Sequence, residues 1–231
     1  MIDDSILDFL NKLSSNNNRE WFNQNRNLYE ASKEKFLLFV DVMLKQLQLI
    51  EPTFANTQAK DCVFRINRDI RFSKDKSPYK NHFSAAFGHG GRNSGRIDYY
   101  FQLQPGDSFL GAGMWQPTPR NLTLFRQELD YNPDTLKSII FSDKFTEAFP
   151  EAYGEKLKKV PKGYDINHPE KELLKRKELF YICRFDDIEI VSKNFENLLF
   201  AKMVILKPYI DYLNHLFFLN ENETEEYIEL L

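Results

Sequence analysis

Apolar residues recur every three to four positions over the first fifty residues, then every second position, and finally at helical spacing again. Ile6, Phe9, Leu10 and Leu13 mark one face of a short helix that Asp3 or Asp4 can cap. Asn16-Asn17-Asn18 interrupts it, and Asn18 can cap the next. That second predicted helix carries Trp21, Phe22, Tyr29, Phe36, Phe39, Val40, Met43, Leu44 and Leu47 at helical spacing. It runs to about Ile50 and ends before Pro52.

Between residues 61 and 115 the alternation predicts antiparallel strands at 63–72, 83–87, 99–103 and 108–115. Pro105-Gly106-Asp107 supplies a hairpin turn between the last two, and residues 88–96 form a longer, glycine-rich loop. Beyond it, Thr118-Pro119, Asn132-Pro133 and Ser142-Asp143 each pair a capping residue with a first helical turn. A short strand at 180–185 is expected to rejoin the sheet. Ser192 then opens a long amphipathic helix lined by Phe195, Leu198, Leu199, Met203, Leu206, Ile210, Leu213 and Phe217. Runs of helix flanking a run of strands indicate α+β, with an antiparallel sheet in the middle of the chain packed against N-terminal and C-terminal helices. The expectation is a single domain: helical over 1–55, sheet over 60–116, helical with one late strand over 117–220, and an acidic tail at 221–231.

Composition adds an aromatic interior, with 21 Phe among 231 residues. No apolar run reaches the roughly 18 residues of a membrane span, and the acidic Met1-Ile2-Asp3-Asp4 start is unlike a signal peptide. Cys62 and Cys183 lie far apart among apolar neighbours, which suits two packed thiols better than a bridge. Together these point to a cytoplasmic chain with no membrane partner.

The net charge of −3 conceals an asymmetry, because residues 60–80 hold seven Lys or Arg against three Asp. In a strand over 63–72, Phe64, Ile66, Ile70 and Phe72 face the core, and Arg65, Asn67, Asp69 and Arg71 share the other face. Two guanidinium groups around one carboxylate can grip a phosphate or carboxylate. Lys76 offers an ammonium clamp and Tyr79 a hydroxyl donor, with Asp69 or Tyr79 the candidate proton carrier. Alternation drives Arg68 inward, as a structural charge that needs an acidic partner. Arg92 and Arg96 add positive charge from the 88–96 loop, which lacks the strand-to-helix context of a P-loop.

The pattern Arg65-x-x-Arg68-Asp69-x-Arg71-Phe72-x-x-x-Lys76-x-x-Tyr79 resembles the hallmark of a family of uncharacterised bacterial proteins, also found within larger fungal proteins and filed as a domain of unknown function. Asn18-Arg19-Glu20-Trp21-Phe22, Pro105-Gly106-Asp107-Ser108-Phe109-Leu110-Gly111 and Arg176-Lys177-Glu178-Leu179-Phe180 are similar too. The resemblance spans nearly the whole chain and implies no activity.

No histidine or cysteine spacing suits a metal, and none of the common catalytic motifs is present. The pattern implies no particular cofactor. Three readings stay open. The first is a protein, enzyme or not, that binds a phosphorylated or other anionic small molecule. The second is nucleic-acid binding through the same basic face, which a sequence pI near 5.9 counts against. The third is an interaction module whose charges satisfy one another. Phe109, Gly111, Gly113 and Trp115 share one further face, a shallow floor that another backbone or a flat ligand could approach, with a close-packed helix over the glycines as the favoured expectation.

Overall fold

In the computed structural model, which describes residues 1–150 and 152–218, the chain is α+β with a five-stranded antiparallel sheet. The acidic tail expected at 221–231 lies outside the described residues. The chain divides into two compact units: Met1–Leu110 with Cys183–Met203, and Gly111–Ile182 with the described part of Val204–Leu231.

The first unit opens with α1 (Asp4–Ser15), capped by Asp3, whose carboxylate accepts from the Ser5 N–H and from Lys35 Nζ. Next come α2 (Arg19–Gln24) and α3 (Arg26–Leu47), where the periodicity predicts one continuous helix. Asn25 makes the break. Its Nδ2 and its backbone N–H both donate to the Trp21 carbonyl, at 2.9 and 3.0 Å, closing α2 before α3 begins. A short polar side chain that competes for backbone bonds does this. Pro52 begins a 3₁₀ turn (Pro52–Phe54), and a single turn of helix, α4 (Ala59–Cys62), follows.

Strands β1 (Phe83–Phe87) and β2 (Tyr99–Leu103) pair from Phe83 opposite Leu103 to Phe87 opposite Tyr99. Their inward rings meet the helices: Phe83 lies 5.3 Å from Phe36 and 6.1 Å from Phe9, and Phe101 lies 5.5 Å from Phe39. The next strand, β3 (Ser108–Met114), begins after the predicted turn, where the Asp107 N–H returns to the Gln104 carbonyl.

The second unit holds α5 (Pro119–Tyr131), α6 (Pro133–Ile140) and α7 (Asp143–Ala148), following Thr118, Asn132 and Ser142 as expected. It also holds a two-residue strand β4 (Ala152–Tyr153) and the single turn α8 (Lys171–Leu174), which the pattern does not anticipate. The late strand is β5 (Leu179–Phe185), and the sheet order is β1-β2-β3-β5-β4. A capped single turn, α9 (Asp187–Ile190), precedes the long helix α10 (Phe195–Phe218). Among the described residues no helix is long and apolar enough to cross a membrane.

Two expectations need correction. Residues 63–72 form no regular strand; they make only the isolated bridges Val63–Ala85 and Asn67–Tyr79. After Asn67 the facing residue is Pro78, which has no N–H to continue the ladder, and Phe72 is 97% exposed instead of in the core. Gly111 and Gly113 are covered by β5 and not by a helix. An added Cβ on Gly111 would sit 2.6 Å from the Phe180 ring, and one on Gly113 would overlap the Leu179 carbonyl oxygen.

Candidate functional site

Residues 63–80 cross the outer side of β1 and fold back on themselves. The Phe64 N–H donates to the Ser84 carbonyl (2.9 Å), the Arg68 N–H to Pro78 (3.0 Å) and the Lys80 N–H to Ile66 (2.8 Å). Asn17 completes this frame from the linker between α1 and α2. Its Nδ2 donates to the Tyr79 carbonyl (2.9 Å) while its Oδ1 accepts from the Tyr79 N–H (3.1 Å), like one more rung of a sheet. Tyr79 is buried, its ring stacked on Phe22 at 3.9 Å.

Inside the fold-back, several charges answer one another. Asp69 accepts from the Arg71 N–H, Nε and Nη2, which holds its carboxyl below the usual range. Lys76 Nζ donates to the Ile70 carbonyl at 3.0 Å. Arg68 finds the acidic partner the sequence calls for in Asp75, only seven residues on, and also reaches the Ser77 carbonyl. It is half-buried, not sealed in a core, because the segment that carries it leaves the sheet. The Ser77 hydroxyl and N–H, and then Arg68, bring Asp75 down to about 2.

Arg65 and Lys80 behave differently. Arg65 is exposed and makes no hydrogen bond or ion pair among the described residues. Lys80 is half-buried with its Nζ 5.3 Å from the centre of the Phe64 ring. Burial, followed by the nearby Arg65 charge, lowers its pKa. A buried cation without a counter-ion is held at a cost.

His82 follows, one residue before β1. Since Phe83 points inward, alternation sets His82 on the outer side with Lys80 nearby. Burial and then Lys80 push its pKa down to about 4, against the opposing charge of Asp107. These groups border a cleft of about 390 Å³ lined by Ser14, Asn17, Arg68, Asp75, Ser77, Tyr79, Lys80, Asn81 and His82.

The structure thus brings Arg68, Tyr79 and Lys80 to one cleft, leaves Arg71 and Lys76 committed within the fold-back, and holds Arg92 and Arg96 in the 88–96 loop. Arg92 Nη1 donates to the Lys60 and Asp61 carbonyls. In that loop the backbone N–H groups of Gly90, Gly91, Arg92, Ser94 and Arg96 each already donate within the protein. Cys62 and Cys183 are free thiols, and burial pushes Cys62 up to about 12. Lys80, Asn17 and His82 gain roles that the sequence reading did not give them. Outward alternation before Phe83 could have flagged His82; nothing local marks Asn17.

His82 carries a pH prediction. Its folded pKa lies below the unfolded value, so its contribution is present above pH 6.5 and is lost as pH falls through 4. The loss is on the order of 3 kcal/mol for a shift from about 6.5 to about 4. Denaturant midpoints measured between pH 7.5 and 4 should fall more steeply for the parent than for His82→Gln. Parallel curves would show that the imidazole is not held neutral.

Fold and site together define an α+β protein with a polar, cation-bordered cleft on the outer side of its sheet. The chain belongs to the family described as conserved hypothetical protein (DUF2461), whose model matches residues 5–212, in keeping with the resemblance seen in the sequence. No curated protein and no solved structure matches it.

Proposed function

We propose that the protein binds a phosphorylated or otherwise anionic small ligand at this cleft, with Lys80 of its lining as the anchor and the neighbouring Arg65 charge in support. The observation that carries the reading is a half-buried Lys80 ammonium with no ion pair among the described residues, repelled by the neighbouring Arg65 guanidinium, in a cleft of ligand size. An arriving anion would offset the desolvation and mutual repulsion that the folded chain otherwise bears. Asp69, Arg71 and Lys76 serve as frame in this reading, because their charges or donors are already engaged. His82, neutral at pH 7, would donate or accept a hydrogen bond without adding charge. The same reading takes the cytosol as the working compartment, for which two free thiols speak.

A thermal-shift titration tests it. Inorganic phosphate or a phosphorylated metabolite at 100 times its dissociation constant should stabilise the parent by about 2.7 kcal/mol. That is a rise of several degrees, at about 2–4 °C per kcal/mol for a chain of this size. Arg65→Gln/Lys80→Gln should fold and lose the response. A response to oligonucleotides alone, collapsing steeply with salt, would favour nucleic acid instead. No response to any anion would leave the charges structural.

A further inference from the structure

Resting on that anion reading, we infer that the ligand is a phosphorylated sugar or polyol and not a nucleotide. The argument comes from what the cleft offers beyond its cations. Its remaining walls are hydroxyl, amide and carboxylate: Ser14, Ser77, Asn81 and Asp75. The aromatic side chains among them are Tyr79, whose ring is stacked on Phe22 at 3.9 Å and is buried, and the half-buried imidazole of His82. A nucleobase gains most from stacking on a broad open aromatic face, and this cleft presents no exposed Phe, Tyr or Trp ring. A carbohydrate gains its affinity from hydroxyls shared among fixed donors and acceptors, and those are what remain.

Asp75 is suited to that task. Its Oδ1 accepts from the Ser77 N–H (2.9 Å) and hydroxyl (2.6 Å), and its Oδ2 accepts from Arg68. The carboxylate is therefore fixed and ionised; Ser77 occupies both lone pairs of Oδ1, and Oδ2 keeps one that a ligand hydroxyl can use. The same negative charge would repel a second phosphate placed on that side, which favours a monophosphate entering with its anion toward Lys80. The cleft volume of about 390 Å³ is at the small end of ligand pockets.

The test is calorimetric titration of the full chain with five probes: inorganic phosphate, ribose, ribose 5-phosphate, glucose 6-phosphate and adenosine 5′-monophosphate. At least one sugar phosphate should bind tenfold or more tightly than inorganic phosphate, and adenosine 5′-monophosphate no more tightly than ribose 5-phosphate. Asn81→Leu should erase the sugar increment and keep the phosphate response; Ser14→Ala gives the same readout if Asn81→Leu fails to fold. Lys80→Gln should weaken all the phosphorylated probes together. If phosphate binds through Lys80 but the nucleotide outbinds ribose 5-phosphate tenfold, or the sugar adds nothing, the carbohydrate assignment is wrong and the anion reading stands. If phosphate itself does not bind, the anion reading falls and takes this assignment with it.

Discussion

Replacing Gly113 with alanine should destabilise the protein by about 3–5 kcal/mol, combining backbone strain with overpacking. Gly113 sits in β3 at φ +125°, a conformation that L side chains rarely adopt. The neighbouring strand leaves no room either, since a Cβ would overlap the Leu179 carbonyl oxygen and lie 2.9 Å from the Phe180 Cα. These are backbone atoms, so no side-chain rotation relieves the clash. Gly106 is the control. It also has positive φ, at +71°, but an added Cβ would meet nothing within 4 Å. Gly106→Ala should therefore cost only the left-handed penalty of about 1–2 kcal/mol. Urea denaturation of the two variants decides the matter. Equal losses would mean that β5 does not press on Gly113 as described.

A second large effect should come from Asp98, which precedes β2. Its carboxyl occupies the space that a side chain on Gly88 would take and accepts from the Ser94 hydroxyl at 2.5 Å. Burial pushes its pKa up to about 7, against the lowering influence of Ser94, Arg96 and His89. The folded state thus holds this proton more tightly than the unfolded chain. Its contribution is complete below pH 3.8 and is lost as pH rises through 7, the reverse of His82. The shift corresponds to roughly 4 kcal/mol at most, since each unit is worth about 1.4 kcal/mol. Asp98→Asn keeps the shape and removes the charge, so its advantage over the parent should grow from pH 5 to pH 8.5. If the two unfold at a constant offset across that range, the carboxyl is solvated and the pH dependence lies elsewhere.

Asp98 and His82 pull in opposite directions over overlapping windows. A pH profile of the parent alone would mix them, and only the single variants separate the two. Neither effect can be foreseen from a residue list, because each arises from what is packed around the group.

What the sequence by itself determined was local. Asn18, Thr118 and Ser142 cap the helices that follow them because a short polar side chain accepts an N–H three residues ahead, wherever the chain goes next. Residues 83–87 and 99–103 are strands with those bounds because alternation there places large apolar groups on one face and no proline interrupts. The family membership, too, is a match of sequence, over residues 5–212. The region 63–72 failed the same test for a through-space reason: a strand needs a partner with free N–H groups, and the facing segment offers Pro78. Tertiary structure alone decided the site. It set Asn17 on the backbone of Tyr79, 62 residues away, and gave Arg68 to Asp75 across the fold-back. Lys80 was left without an ion pair among the described residues, and Arg65 only with the through-space pull of Asp69, a carboxylate already bonded to Arg71. The sequence counts charges, and only the folded chain pairs them, because pairing depends on distances that the backbone path fixes.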